Sequence, residues 1–166
     1  MNEQEISKAV EAVLESWSRS GRDKHKECKL TLDIANALIE RVKAFAHKMG
    51  VRVVIAVSDQ AGRPVAVQCM DDAYIASFDI AVNKSFTSAS LKMSTEALSH
   101  LSQPGQSLYG IQHTNQGRIV IFGGGEPLEV DGKILGALGV SGGSAKQDTE
   151  IAAYGRKIFK EVLSCH

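Results

Sequence analysis

Apolar positions recur at helical spacing twice within the first fifty residues. Ile6, Val10, Leu14 and Trp17 form a narrow stripe, with Ala9 and Val13 beside it and Glu3, Glu5, Lys8, Glu11 and Glu15 around the rest of the wheel. This predicts an amphipathic helix over residues 2–18. A helix that short is marginal alone and has to dock on something: its own domain, a sister subunit, or a separate partner for which it serves as a tag. The stretch SRSGRDKHKECK, residues 18–29, is polar and aperiodic and reads as a linker. From Leu30 the texture changes. Thr31 is placed to cap a second helix, with Asp33 in its first turn, and Ile34, Leu38, Val42, Phe45 and Met49 form its stripe up to a stop at Gly50. Asn36, Glu40, Lys43 and His47 fall on the other face, so His47 is expected to be solvated.

The period then shortens. VRVVIAV (51–57) is a continuous, β-branched apolar run and predicts a strand covered on both faces. SDQAGRP supplies a turn, and Val65 to Met70 is a second strand. There Val65, Val67 and Cys69 share a face, which predicts a core thiol at Cys69. A helix from about Tyr74 to Lys92 is unusually small-sided (Ala76, Ser77, Ala81, Ser85, Ser88, Ala89, Ser90), which lets another backbone, as in tight packing on a sheet, or a flat ligand approach closely. Ser94 caps a short helix to Leu101. Ile119 to Phe122 predicts a third strand. Leu128–Val130 and the run from Lys133 flank Asp131-Gly132, a strong hairpin signal. Gly136 and Gly139 mark bends or close contacts in the last strand. Ser144 opens a final helix reaching Lys160 or beyond. The order gives an α+β domain: a five-stranded antiparallel sheet covered by helices, over residues 30–166, behind a tail of residues 1–29.

Composition narrows the function classes. The 166 residues suit one domain, and 19 basic against 19 acidic side chains argue against a general nucleic-acid or polybasic membrane binder. Zero net charge also leaves little to keep copies apart. No apolar run approaches the roughly 20 residues of a membrane helix, and no secretory signal opens the chain. Cys28, Cys69 and Cys165 form no framework and no CxxC pair, so a reducing cytoplasm is expected. There is no P-loop, no HExxH and no GxSxG. Two places remain for chemistry. His25 and Cys28 put imidazole and thiol, both heme-iron donors, within four residues of each other on a segment able to fold over a flat ring; the alternative is a solvated histidine and a free thiol. Gly123-Gly124-Gly125 and Ser141-Gly142-Gly143-Ser144 are the glycine runs, the second opening a helix whose N–H groups attract anions; the alternative is plain turn chemistry.

The segments LTLDIANALIERVKAFAHKMGVRVVIAVSDQAGRPVAVQCMDD, ASFDIAVNKSFTSA and GGGEPLEVDGKILGALGVSGGSAKQDTEIA together resemble the GlcG/HbpS family over about Leu30 to Tyr154. QPGQSLYGIQHTNQGRIVIFGGG is similar to the branch formed by the C-terminal domain of the PduO corrinoid adenosyltransferases. The adenosyltransferase domain has no counterpart here. The resemblance implies a profilin-like fold in three layers, α/β/α, assembly into tetramers or octamers, and heme binding by some members. The first expectation is therefore a cytoplasmic homo-oligomer binding heme or a related tetrapyrrole such as a corrinoid. His25 and Cys28 would meet the iron, with His113 as the next candidate, and Lys84 or Ser141–Ser144 would meet the propionates. Residues 2–18 resemble the encapsulation peptides of bacterial microcompartments, which implies docking on a shell and a place in its lumen, in a diol-utilisation pathway. The alternatives are an enzyme acting at the glycine loops, with Lys84 or His113 as proton donor, and a ligand-free structural subunit.

Overall fold

The computed structural model describes residues 29–165. The helix expected over residues 2–18, and His25 and Cys28, lie outside the described residues. The body begins with helix α1 (Leu32–Lys48), where the Thr31 hydroxyl accepts the Ile34 N–H at 3.3 Å. Strands β1 (Val54–Asp59) and β2 (Pro64–Cys69) form a hairpin. Its turn is closed by Asp59, whose carboxylate accepts N–H bonds from Ala61 and Arg63. Helix α2 (Ser77–Leu91) follows, then α3 (Thr95–Leu101), capped by Ser94 as its sequence predicts. After a long turn-rich connection, β3 (Gly125–Val130) and β4 (Lys133–Ser141) form a second hairpin. Asp131 and Gly132 both sit at positive φ, as a tight two-residue turn demands. Helix α4 (Ala145–Ser164) closes the fold from a full capping box between Ser144 and Gln147.

The described sheet has four strands, in the antiparallel order β2-β1-β4-β3. Side chains alternate across it. Val53, Ile55, Val57, Leu138 and Val140 join the main core under α1 and α4. Val54 and Ala56 point the other way, to Ala81 of α2. The result is one helical layer on each face, the two-period pattern of a sheet buried on both sides. Among the described residues no helix is long and apolar enough to cross a membrane.

Two expectations are corrected. The fifth strand, at Ile119–Phe122, does not form. Ile119 is buried, but the Val120 N–H is taken by the Thr87 hydroxyl of α2 at 3.0 Å, so the segment lies on a helix instead of joining the ladder. Four apolar residues satisfy burial in either arrangement. Cys69 is not a core thiol: β2 is an edge strand, and its last residue is exposed.

The small side chains of α2 let its backbone rest on the sheet. A Cβ at Gly139 of β4 would stand 2.0 Å from the Ala81 carbonyl oxygen and 2.6 Å from the Ser85 nitrogen. Neither backbone atom can step aside. Gly139→Ala is therefore expected to lower stability by roughly 3 kcal/mol, at the upper end of overpacking costs. Urea unfolding measures this, and an unchanged midpoint would show that α2 does not lie where described.

Candidate functional site

Two neighbouring features stand out, one buried and one open. The buried one centres on Lys84, the eighth residue of α2, which is fully inaccessible to solvent. Its Nζ donates to Asp148 Oδ2 of α4 at 2.8 Å and to the Val140 carbonyl of β4 at 2.8 Å. The ammonium also stands 4.9 Å from the centre of the Phe122 ring. Burial pushes this ammonium below the ordinary lysine range, against the opposing pull of Asp148. Asp148 completes its bonding through Oδ1, which accepts the Gly143 N–H at 2.8 Å. The path exists because Gly124 has no side chain: a Cβ there would lie 2.6 Å from Lys84 Nζ and 2.8 Å from Asp148 Cβ. One ion pair thus joins the two helical layers past the end of the sheet.

Beside it, Glu126 of β3 is buried and held by Arg156 of α4 at 3.2 Å. Burial raises its carboxyl above the ordinary value; Arg156 opposes the rise and Glu96 adds to it. Thr149 of α4 bonds Glu96 of α3 across Gly123. The first glycine run is therefore the passage through which α2, α3 and α4 are cross-linked.

The open feature is a cavity of about 670 Å³, lined by Glu40, Lys43 and His47 of α1, by Arg52, and by Cys69 and Met70 at the end of β2. The register Val54↔Cys69 brings β2's end alongside the chain that follows α1. Lys43 is engaged by Glu40 at 2.6 Å. Arg52 has no ion-pair partner among the described residues. Arg52 and Asp72 also border a second cleft of about 510 Å³, whose far wall is Gly142, Gly143, Ser144 and Gln147. The two spaces meet at Arg52.

The structure brings Lys84, Gly124 and Gly143 together through Asp148, but as a closed relay. Ser141 is buried against Ser77 at 3.3 Å. The N–H groups of Gly143 and Ser144 already have carboxylate and amide acceptors in Asp148 and Gln147. His113 stands apart, exposed on a short helical turn (Ile111–His113). Sequence reading passed over His47, Arg52 and Cys69 as cavity residues. The signal that unites them is the turn chemistry of SDQAGR, which sets the hairpin register and so the position of Cys69.

Comparison with known proteins gives a consistent result. A model of the family described as "Haem degrading protein HbpS-like" matches residues 30–157. An uncharacterised 15.0 kDa protein of Citrobacter freundii, from the dhaT-dhaS intergenic region, is 44% identical over 133 residues, covering 80% of this chain and 94% of that protein. The corrinoid adenosyltransferase PduO of Salmonella typhimurium is 40% identical over 119 residues, 72% of this chain but 34% of PduO. The chain thus spans about a third of that enzyme. The solved PduOC:heme complex is 36% identical with a TM-score of 0.74, covering 78% of this chain and 94% of that one.

Two outcomes test the buried network. Lys84→Met leaves the Asp148 carboxylate buried and unpaired and is expected to cost about 3–5 kcal/mol, whereas Lys84→Met with Asp148→Leu costs clearly less than the two single changes together. Strict additivity in denaturant unfolding would contradict the pair. For Glu126, the native chain holds a proton that the unfolded chain releases near its ordinary pKa of 4.5. Stability from this group therefore falls as pH rises from that value through the raised native one. Glu126→Gln should flatten this part of the stability–pH profile; an unchanged slope would show that Glu126 does not titrate there.

Proposed function

The chain belongs to the HbpS-like family, and from that premise we propose that it is a heme-binding accessory protein whose iron ligand is His47. The observation that carries this is the cavity at the end of α1. It offers an imidazole donor, a guanidinium with no ion-pair partner among the described residues to meet a propionate, and a volume within the ~300–1,000 Å³ range of cofactor sites. Imidazole is a common axial ligand of heme iron, and Ala44 and Met70 give the wall its apolar part, beside the carboxylates of Glu40, Asp71 and Asp72. Arg52, at the junction with the second cleft, binds the propionates, and Ser144 and Gln147 border the same space. Heme supplies redox-active iron, while the chain's own task is to hold and orient the ring. The name of a relative 36% identical to this chain, the PduOC:heme complex, supports the same ligand.

Several finer elements belong to the same proposal. His25 and Cys28 are the competing iron donors, with His113 behind them. A corrinoid, as a similarly flat macrocycle, is the competing ligand. Self-association as a tetramer or octamer is supported by the apolar segment just before α2, where Tyr74 is 74% and Ile75 97% exposed. Residues 2–18 act as a shell-docking tag in a diol-utilisation microcompartment, a role supported by the likeness to part of PduO.

Hemin titration of the full chain, followed at the Soret band, is expected to saturate. His47→Ala should weaken binding by at least about tenfold, since even outer partners of a metal ligand are worth 10–100-fold. Cobalamin at the same concentration should compete poorly. Loss of binding with His25→Ala and not His47→Ala would move the iron to the tail. Absence of any hemin-dependent spectral change would sink the heme reading.

A further inference from the structure

The described chain begins at one end of the sheet, and that end holds an open groove. Leu30 is buried there: a Cβ on Gly136 of β4 would stand 2.6 Å from Leu30 Cδ2. The same end carries both hairpin turns, since Asp59 closes β1 opposite Gly136 and Lys133 opens β4. Two clefts of about 380 and 400 Å³ lie beside these turns and share Gln60 and Lys133. Lys29 lines the first, and Lys92, the left-handed residue that follows α2, lines the second. Arg63 and Lys133 add two more cations. Asp59, the carboxylate of this lining, is already taken by the N–H groups of Ala61 and Arg63 and by the Arg63 guanidinium at 3.1 Å. Leu30, Ala61, Ile134 and Leu135 supply the apolar part of the lining. The groove is therefore basic and partly apolar.

Residues 2–18 lie outside the described residues, and their sequence matches this groove in sign, pattern and reach. Four glutamates, Glu3, Glu5, Glu11 and Glu15, stand against one lysine, Lys8, around the stripe of Ile6, Val10, Leu14 and Trp17. As a helix the segment is about 25 Å long. The linker of residues 19–28 spans at most about 35 Å, so the segment is tethered to the end of the domain where Lys29 stands. We infer that the groove is the docking site of residues 2–18 of the same chain. The stripe covers the apolar lining, and the glutamates meet Lys29, Lys92 and the cations between them. A short tether keeps the segment at high effective concentration, so exposed ion pairs that are weak singly suffice to hold it. Docking here does not depend on heme, and any other partner of residues 2–18 has to compete with it.

Trp17 is the chain's one tryptophan, so its fluorescence reports on the stripe directly. In the full chain without heme, its emission is expected to be blue-shifted and its quenching by acrylamide well below that of the urea-unfolded chain. Lys29 and Lys92 are exposed and have no ion-pair partner among the described residues. Lys29→Glu with Lys92→Glu should move the docking equilibrium about tenfold toward the undocked state, read as a rise in quenching with the circular dichroism of the domain unchanged. Adding Glu11→Lys and Glu15→Lys to that variant should restore the shielding. A Trp17 as open as in the unfolded chain, or one whose shielding ignores the groove charges, overturns the docking, as does exposure that the exchange in residues 2–18 fails to reverse. Shielding that vanishes on dilution puts the segment on a sister copy and overturns docking within the chain.

Discussion

The Lys84–Asp148 ion pair is the constraint on which the rest of the molecule turns. A lysine with no solvent contact is costly unless its charge is met on all sides, and here a carboxylate, a carbonyl and an aromatic face meet it. Meeting those terms dictates much of the surrounding sequence. Gly124 must be glycine to leave the passage. Asp148 must stand in the first turn of α4, where its charge also suits the helix N-terminus. The α2 backbone must lie close enough for the side chain to reach, which the small residues of α2 and the bare Gly139 allow.

The same pair positions the open site without touching it. Asp148 holds the Gly143 N–H, and the neighbouring Gly142 is packed so tightly that a Cβ there would stand 2.1 Å from the Arg52 carbonyl oxygen. Arg52 thus has its backbone clamped by the turn that the buried carboxylate secures, while its side chain makes no ion pair among the described residues. On the other wall, α1 carries His47 in its last turn, and α1 is held to α4 by the shared core and by the Arg41–Glu161 bridge at 2.9 Å. Regular elements therefore present His47 and Cys69, while Arg52 stands on the clamped connection between α1 and β1.

Local chemistry was readable ahead of the structure wherever it depends on a few consecutive residues. Thr31, Ser94 and Ser144 cap the helices they precede, Asp131-Gly132 makes its turn, and the small face of α2 meets a backbone. What depends on partners far along the chain was not. Cys69 shares a face with Val65 and Val67, yet strand order places β2 at the edge, and no local pattern carries strand order. Lys84 and Asp148 are 64 residues apart, and nothing in either helix alone says that they meet. Ile119–Phe122 has a strand's composition, but a threonine hydroxyl on another element takes its N–H. His47 reads as a surface residue and is one; its interest lies in the edge strand that ends beside it.

The central claim, that the fold presents His47 as the iron donor of a cavity built between α1 and the β1–β2 hairpin, is tested most directly by solving the crystal structure of the full chain with hemin bound, using anomalous scattering to place the iron. The account predicts the iron bonded to the His47 imidazole, with a propionate on Arg52. Iron bonded to His25, Cys28 or His113, with the cavity free of the ring, would contradict it.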